Sequence, residues 1–168
     1  INRADLVLVT SEHLKKVLMD RYDVSPTKLV IERNAYSGGS NMSLTVTKAK
    51  QKGAQIAYFG TISSWFNFDF INRSLQDFPD LSYTFIGPLD GVKIPDNPRI
   101  NYLGIVPHEQ LKDAVGNADA LMMPFLLNDI TLAVDPVKLY EYLSMSKNII
   151  TVDYPEVQRF KPFCFMYY

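Results

Sequence analysis

The sequence predicts an α/β fold, in which a parallel β-sheet carries helices on both faces. From Gly53 onward, short apolar segments alternate with amphipathic segments of helical periodicity, and this alternation is typical of parallel sheets. The apolar segments are apolar almost throughout, as expected of strands that are buried on both faces. The length of 168 residues is enough for one substantial hydrophobic core.

The elements of this sheet can be assigned in chain order. The predicted strands are Gln55–Phe59, Leu81–Ile86, Ile100–Leu103, Asp119–Met123 and Asn148–Val152. The predicted helices between them are Phe68–Asp77, His108–Asn117 and Pro136–Met145.

A shorter unit of the same kind precedes this region. The apolar run Ala4–Val9 predicts a buried strand, Glu12–Tyr22 an amphipathic helix capped by Thr10 or Ser11, and Lys28–Ile31 another strand. The sequence then becomes rich in Gly, Ser, Thr and Lys, which is typical of a flexible joint. We therefore predict one unit at residues 1–40, a linker at 41–52 and a second unit at 53–168.

Composition excludes several functions. Seventeen Lys and Arg residues against 18 Asp and Glu residues give a net charge of −1, so no broad positive field exists to bind nucleic acid. Cys164 is the single cysteine, which excludes an internal disulfide and a site built on several cysteines. The histidines, His13 and His108, are not part of a metal-ligand pattern, and we predict neither a metal nor a cofactor. We expect a cytoplasmic protein, because the apolar run at the N-terminus is too short to span a membrane.

Glycines follow three of the predicted strands, at Gly60, Gly87 and Gly104. Each could simply form a turn. Together they would lie at the carboxyl edge of a parallel sheet, where ligands bind in open α/β folds and where glycine lets backbone N–H groups approach a phosphate. The sequence contains neither GxGxxG after the first of these strands nor GxxxxGK[ST] anywhere, so the common dinucleotide and P-loop fingerprints are absent.

The segment Asp135–Asp153 carries the densest chemical signal. Asp135 suits an N-cap and Pro136 the first helical position. Lys138 then lies in the first turn, where a cation opposes the helix dipole, and Glu141 follows three residues later on the same side. The two side chains could form an intrahelical ion pair on a solvated strip. Alternatively, Lys138 could bind a phosphate and Glu141 could accept hydrogen bonds from ribose hydroxyls.

This helix, with the preceding ADALMMPF, resembles the nucleotide-sugar-binding domain of GT-B glycosyltransferases of family 4, the group 1 kind. The segments AQIAYFGTISS, YTFIGP and PRINYLGIVPHEQLKDAVGNADALMMPF are similar to the successive strands and loops of that Rossmann-like domain. Residues 1–40 resemble the end of the acceptor-side domain and the crossing to the donor domain. Nearly the whole chain is covered by the resemblance.

The resemblance implies a role for each matched residue. Glu141 would hold the donor ribose and Lys138 would neutralise the diphosphate, while Gly60 and Thr61 would donate hydrogen bonds to phosphate. Ile105 and Val106 would lie beside the nucleobase. Trp65, next to the first glycine loop, is a candidate contact to the donor or the acceptor.

The chain departs from the family pattern at three places. The first of the family's two glutamates falls on Ala133, so that either Asp135 or Asp129 would contact the sugar hydroxyls, or no residue would. The basic residues often found after the first glycine loop are missing from TISSWFNFD, and the crossing has Arg33 in place of a proline. A general base is expected in the acceptor domain, so its identity is unknown, and residues 1–168 alone are expected to bind donor without transferring sugar.

The resemblance therefore implies a glycosyltransferase that uses a UDP- or GDP-sugar and a glycan or lipid-linked acceptor in cell-surface polysaccharide synthesis. Such an enzyme would need no nucleic acid partner, and the full-length protein would associate peripherally with the inner face of the membrane. Two alternatives remain open: a nucleotide-sugar epimerase of the same fold, and a non-catalytic α/β ligand-binding module. A receiver-type module would need an acidic cluster after its first strand, and IAYFGTISS has none.

Overall fold

The structure, a computed structural model, describes residues 1, 3–36 and 53–168. The predicted linker at 41–52 lies outside the described residues. The α/β prediction is confirmed, since a six-stranded, entirely parallel sheet forms the centre of the molecule. A separate sheet of two parallel strands lies near the N-terminus.

The two-stranded sheet and one helix make up the N-terminal unit. Its elements are β1 (Val7–Val9), α1 (Glu12–Tyr22) and β2 (Leu29–Ile31). Ser11 caps α1 by accepting a hydrogen bond from the Leu14 N–H at 3.0 Å, as predicted. The strand predicted at Ala4–Val9 is shorter and less buried than expected, because only one face of this small sheet packs against α1, and Leu8 is 60% exposed on the other.

The remaining elements build the larger sheet. Its strands are β3 (Gln55–Phe59), β4 (Ser82–Ile86), β5 (Ile100–Tyr102), β6 (Ala120–Met123), β7 (Asn148–Val152) and β8 (Phe165–Tyr167). Its helices are α2 (Phe68–Asp77), α3 (Leu111–Ala114), α4 (Asp129–Leu132) and α5 (Val137–Ser144). Two 3-10 segments, His108–Gln110 and Pro155–Phe163, complete it.

The strand order is β5-β4-β3-β6-β7-β8. The chain therefore builds outward from β3 in one direction, returns, and builds outward from β6 in the other direction. The point between β3 and β6 where the order reverses leaves a crevice at the carboxyl ends of the strands, and this is where open α/β sheets bind ligands. Tyr58, Leu121 and Ile149 on the central strands are almost completely buried, which accounts for the continuous apolar runs in the sequence.

Strands β2, β4, β5 and β6 are each one residue shorter than predicted, and α4 was not predicted. Other elements differ as follows. The helix predicted at His108–Asn117 is a 3-10 turn followed by the short α3, because Gly116 and Asn117 are weak helix formers at its end. α5 starts one residue later than expected, with Pro136 in the N-cap position. β8 was not predicted, and it pairs with β7 as the edge strand.

No helix within the described residues combines the length and the apolar character that a membrane crossing requires.

Candidate functional site

A cavity of about 240 Å³ lies over the carboxyl ends of β3, β4 and β5, on the side where α5 begins. Its floor is formed by the residues that end β3 and β4, and one wall by the connection from β5 to α3. The opposite wall is the first part of α5. The lining residues are Phe59, Gly60, Ile86, Gly87, Pro88, Ile105, Val106, His108, Leu111, Lys138 and Glu141.

Five of the residues predicted for donor binding line this one cavity: Gly60, Ile105, Val106, Lys138 and Glu141. They come from three separate parts of the sequence, as the parallel topology requires. Thr61 and Trp65 are not among the lining residues. Trp65 packs against the core, while the carbonyl of Thr61 accepts a hydrogen bond from the Tyr58 hydroxyl at 2.8 Å, so roles for these two residues remain predictions.

The glycines at the strand ends are required by close packing. Gly60 has φ +130°, and a Cβ at this position would collide with Cε of Lys138 and lie 2.7 Å from its Nζ. Gly87 has φ +128°, and a Cβ there would run into the backbone carbonyl of Gly60. The missing Cβ at Gly60 therefore leaves room for the end of Lys138 at the cavity floor, and the missing Cβ at Gly87 lets the two strand ends approach each other closely.

Lys138 is held in a partly buried position above the Tyr58 ring, with its Nζ 5.8 Å from the ring centroid, which is within the range of a cation–π interaction. Burial lowers the pKa of Lys138 below its usual value, and the negative charge of Glu141 partly opposes this. Within the described residues, no ion pair joins Lys138 and Glu141 at 4 Å or less. The simple intrahelical pair is therefore not the arrangement observed.

The first turn of α5 offers further donors to an anion. Pro136 provides no side-chain capping hydrogen bond, and the turn contains no acidic residue. The N–H groups at the start of a helix lack intrahelical acceptors and attract negative charge. The Leu139 N–H already donates to the Pro136 carbonyl at 3.1 Å, so the N–H groups of Val137 and Lys138 are the ones that could add to the positive charge of the Lys138 side chain.

Asp135 has a different position from the one predicted. Its side chain is 0% exposed and forms an ion pair with Arg159, and its Oδ2 accepts a hydrogen bond from the Asn34 N–H at 2.7 Å. Both carboxylate oxygens have partners inside the protein, and the N-cap of α5 is Pro136, so the prediction that Asp135 caps this helix is wrong. A role of Asp135 in donor binding stays a prediction. Asp129, the other candidate for the sugar hydroxyls, pairs with Arg21 at 2.7 Å on the surface.

His108 is a cavity residue that the sequence reasoning assigned only to a helix start. It does begin a 3-10 turn, and its side chain also lines the cavity opposite α5. Apart from Lys138 and Glu141, it is the one lining residue with an ionisable side chain. The sequence did contain a signal for this position, because His108 closely follows Gly104 at the end of a predicted strand, where ligands bind in such sheets.

A second hollow, of about 390 Å³, lies at the opposite edge of the sheet between the start of β3 and the end of α2. It is larger, but its walls are mainly apolar, and it includes the amino end of a strand rather than a carboxyl end. The smaller cavity is the better candidate site, because it combines charged side chains, a helix N-terminus and the crevice at the point where the strand order reverses. Among the described residues, no group of three or more potential metal ligands occurs.

Comparison with known proteins identifies the class of fold. The structure is similar to the lipopolysaccharide outer core galactosyltransferase WaaB, with a TM-score of 0.64 and 18% identity over 93% of this chain and 45% of that one. It is equally similar to HepE of Anabaena, solved with UDP and glucose, with a TM-score of 0.64 and 14% identity over 99% of this chain and 50% of HepE. The fold is therefore that of one half of a GT-B glycosyltransferase, which confirms the predicted resemblance.

A sequence relative agrees with this class. TuaH of Bacillus subtilis (strain 168) is named as a glycosyltransferase of teichuronic acid biosynthesis. It is 21% identical to this chain over an alignment of 179 residues, gaps included, which covers 99% of this chain and 45% of TuaH. The chain thus spans about half the length of the relatives it matches. No protein-family model matches the sequence.

Proposed function

We propose that this chain forms the nucleotide-sugar-binding part of a GT-B glycosyltransferase and that the cavity between β3, β4, β5 and α5 binds the donor. The observation that carries the proposal is the meeting of Gly60, Gly87, Lys138 and Glu141 at the crevice where the strand order reverses. We further propose that residues 1–40 belong to the acceptor-side domain and its crossing, and residues 53–168 to the donor domain.

Each part of a nucleotide diphosphate has a matching part of the cavity. The diphosphate would bind at the floor, against Lys138 and the first N–H groups of α5. Glu141, one turn further along, would accept hydrogen bonds from the ribose hydroxyls. The nucleobase would lie against Ile105 and Val106 on the opposite wall. This order leaves the sugar pointing out of the cavity mouth.

In transfer, the bond between the sugar and the diphosphate breaks and negative charge accumulates on the leaving diphosphate. Lys138 and the α5 N-terminus would stabilise that charge, and such prearranged electrostatic groups are worth several kcal/mol in catalysis. The carboxylate of Glu141 would hold the ribose, and so keep the diphosphate next to Lys138. We expect the acceptor site to lie in the part of the relatives that this chain does not cover, so that residues 1–168 alone bind donor without transferring sugar.

The names of the relatives support a setting in cell-surface polysaccharide synthesis, with a UDP-sugar as the first donor to test. TuaH is named for teichuronic acid and WaaB for the lipopolysaccharide outer core, and HepE has been solved with UDP-glucose. We propose a glycan or lipid-linked acceptor on this basis.

Calorimetric titration with UDP, GDP, ADP and CMP tests the proposal. We expect one nucleotide diphosphate to bind, and we expect Lys138→Ala and Glu141→Ala each to weaken binding by about 1.5–3 kcal/mol, or roughly tenfold to a hundredfold. Lys112→Ala, which removes an exposed lysine of α3 outside the cavity, is the matched control and should bind like the unchanged chain. If no nucleotide bound to the folded protein, the non-catalytic alternative would be favoured.

A further inference from the structure

A charge cluster, formed by the buried carboxylates of Asp135 and Glu156 and the partly exposed guanidinium groups of Arg33 and Arg159, lies beside α5 and outside the cavity lining. The side chains of Asp135 and Glu156 are 0% and 2% exposed. Two carboxylates and two guanidinium groups cancel in charge, and no member of the cluster lines the cavity. The cluster is therefore not part of the donor site itself.

Every carboxylate oxygen in the cluster has its own donor. Asp135 pairs with Arg159 through Oδ1 and accepts the Asn34 N–H through Oδ2. Asn34 also donates its side-chain amide to the Asp135 carbonyl at 2.8 Å. These bonds fix the residue that immediately precedes the Pro136 N-cap, and hence the point at which α5 begins.

Glu156 connects the cluster to the N-terminal unit. Its Oε1 accepts the N–H of Glu12, the first residue of α1, at 2.7 Å, and its Oε2 pairs with Arg33. Arg159 lies 3.6 Å from the same Oε2. The cluster thus joins α1 and the residues after β2 to the region around α5.

Arg159 holds α5 at a second point, because its Nη2 donates to the Tyr140 hydroxyl at 2.8 Å. At 100° per residue, Tyr140 lies about 130° around the helix from the midpoint between Lys138 and Glu141. Arg159 therefore binds α5 on the side away from the cavity, once next to its start and once in its second turn. A helix held at both points has little freedom to rotate or slide.

Stability alone does not account for such an arrangement. Buried ion pairs commonly contribute no more to stability than well-packed apolar side chains of the same size, whereas they do specify a single geometry in some proteins. We propose that Asp135 and Arg159 are positioning residues, which fix the rotation and axial position of α5 so that Lys138 and Glu141 face the cavity, and which link that position to Arg33 and Asn34. This inference rests on the proposed nucleotide site.

The test compares nucleotide affinity with the local stability of α5. Asp135→Asn keeps the shape and an acceptor oxygen but removes the charge, and Arg159→Gln removes the ion pair. We expect each to weaken UDP binding about tenfold or more, since small misplacements of binding groups can cost up to about a hundredfold. Hydrogen exchange should also become faster in α5 and stay unchanged in α2. Arg159→Lys should recover part of the affinity.

Two controls separate positioning from general destabilisation. Arg21→Met breaks the exposed ion pair to Asp129, the other charged link between α1 and the larger unit, and should leave affinity unchanged. Ile71→Val truncates a buried side chain of α2 and should lower the melting temperature without changing affinity at a temperature where the protein is folded. Unchanged affinity and unchanged α5 exchange in Asp135→Asn and Arg159→Gln would overturn the proposal.

The two proposals fail differently. If the unchanged chain bound no nucleotide, the proposed function would fail, and exchange in α5 would still decide whether the cluster positions that helix. If the unchanged chain bound UDP and both variants bound it equally well, only the positioning proposal would fail.

Discussion

At the scale of single residues, Lys138 is the side chain whose environment matters most. It lies in the first turn of α5, partly buried, with Glu141 as its nearest opposite charge and the Tyr58 ring below it. Burial and the helix dipole both disfavour the ammonium form. A bound phosphate would offset both the desolvation of the ammonium group and its repulsion by the helix dipole. A lysine in the first turn of this helix therefore favours an anion-binding function.

This environment predicts how nucleotide affinity changes with pH. The pKa of Lys138 is lowered in the free protein because burial disfavours its charge, whereas a bound diphosphate would favour the charged form. Affinity should therefore be constant below the lowered pKa and fall as pH rises through it, since binding then requires proton uptake. Titrations from neutral pH to about pH 10 should show this fall.

The Lys138→Met variant supplies the baseline for that experiment. Any titration of the nucleotide itself affects both proteins equally, so the difference between the two curves reports on Lys138. Parallel curves would contradict the assignment of Lys138 to the diphosphate.

Gly60 gives a second prediction at this scale. Gly60→Ala should lower the stability of the fold by about 1–3 kcal/mol, because φ +130° is a backbone conformation that L-residues rarely adopt. It should also weaken nucleotide binding, because the new Cβ displaces the end of the Lys138 side chain. Gly91→Ala is the control, since Gly91 also has a positive φ, +67°, but has no atom within 4 Å of the added Cβ. The control should cost only about 1 kcal/mol. Urea unfolding and calorimetry measure both effects, and equal losses in the two variants would refute the packing argument.

At the scale of elements, α1 is attached to the larger unit through its own cap. Ser11 is fully buried, its hydroxyl accepts from the Leu14 N–H, and it donates to the Ala133 carbonyl at 2.7 Å. One hydroxyl therefore starts the helix and also docks it beside the segment that leads to α5. Asn67 caps α2 by accepting the Phe70 N–H at 2.9 Å, within its own helix.

Ser11→Ala should consequently cost more than Asn67→Ala. The loss of a cap alone is worth about 0.5–2 kcal/mol, and Ser11→Ala additionally removes the part-buried hydrogen bond to the Ala133 carbonyl, at about 0.5–1.5 kcal/mol. Chemical denaturation of both variants gives the comparison. A smaller effect of Ser11→Ala than of Asn67→Ala would show that the docking bond adds nothing.

The elements also show where sequence patterns are informative. β3, β7 and α2 have the bounds predicted, because long apolar runs and a clear amphipathic period leave little ambiguity. α4 and β8 were missed. Each is only three or four residues long, and β8 exists through its pairing with β7 rather than through any local signal.

At the scale of the whole molecule, two hydrophobic clusters form separately. The larger surrounds the six-stranded sheet, and the smaller consists of Val9, Leu18, Val24 and Leu29 between α1 and the two-stranded sheet. Polar and charged contacts from Ser11, Glu12, Arg33 and Asn34 join the smaller unit to the larger. The larger unit therefore depends on the smaller one to satisfy Asp135 and Glu156.

Removal of residues 1–36 should therefore destabilise the larger unit, although its apolar core is intact. The shortened chain loses the Asn34 donor to Asp135 and the Glu12 and Arg33 donors to Glu156, and each hydrogen bond to a charged group contributes about 1.5–3 kcal/mol. Thermal unfolding should show a lower midpoint for residues 37–168, and Glu156→Gln in the shortened chain should restore part of the loss, because it removes the one carboxylate charge that Arg33 no longer balances while Arg159 keeps its pair with Asp135. An unchanged midpoint in the shortened chain would contradict this dependence.

By itself, the sequence determined the α/β class and the main strands and helices, and it singled out Lys138 and Glu141, which both line the candidate site. These follow from local periodicity and from residue types that act over a few positions. The tertiary structure alone decided that Asp135 is buried against Arg159 and Asn34, and that His108 faces the cavity. Those outcomes depend on residues between 24 and 101 positions apart or on opposite walls of one crevice, and pairing at such distances is set by the topology of the sheet rather than by any local pattern.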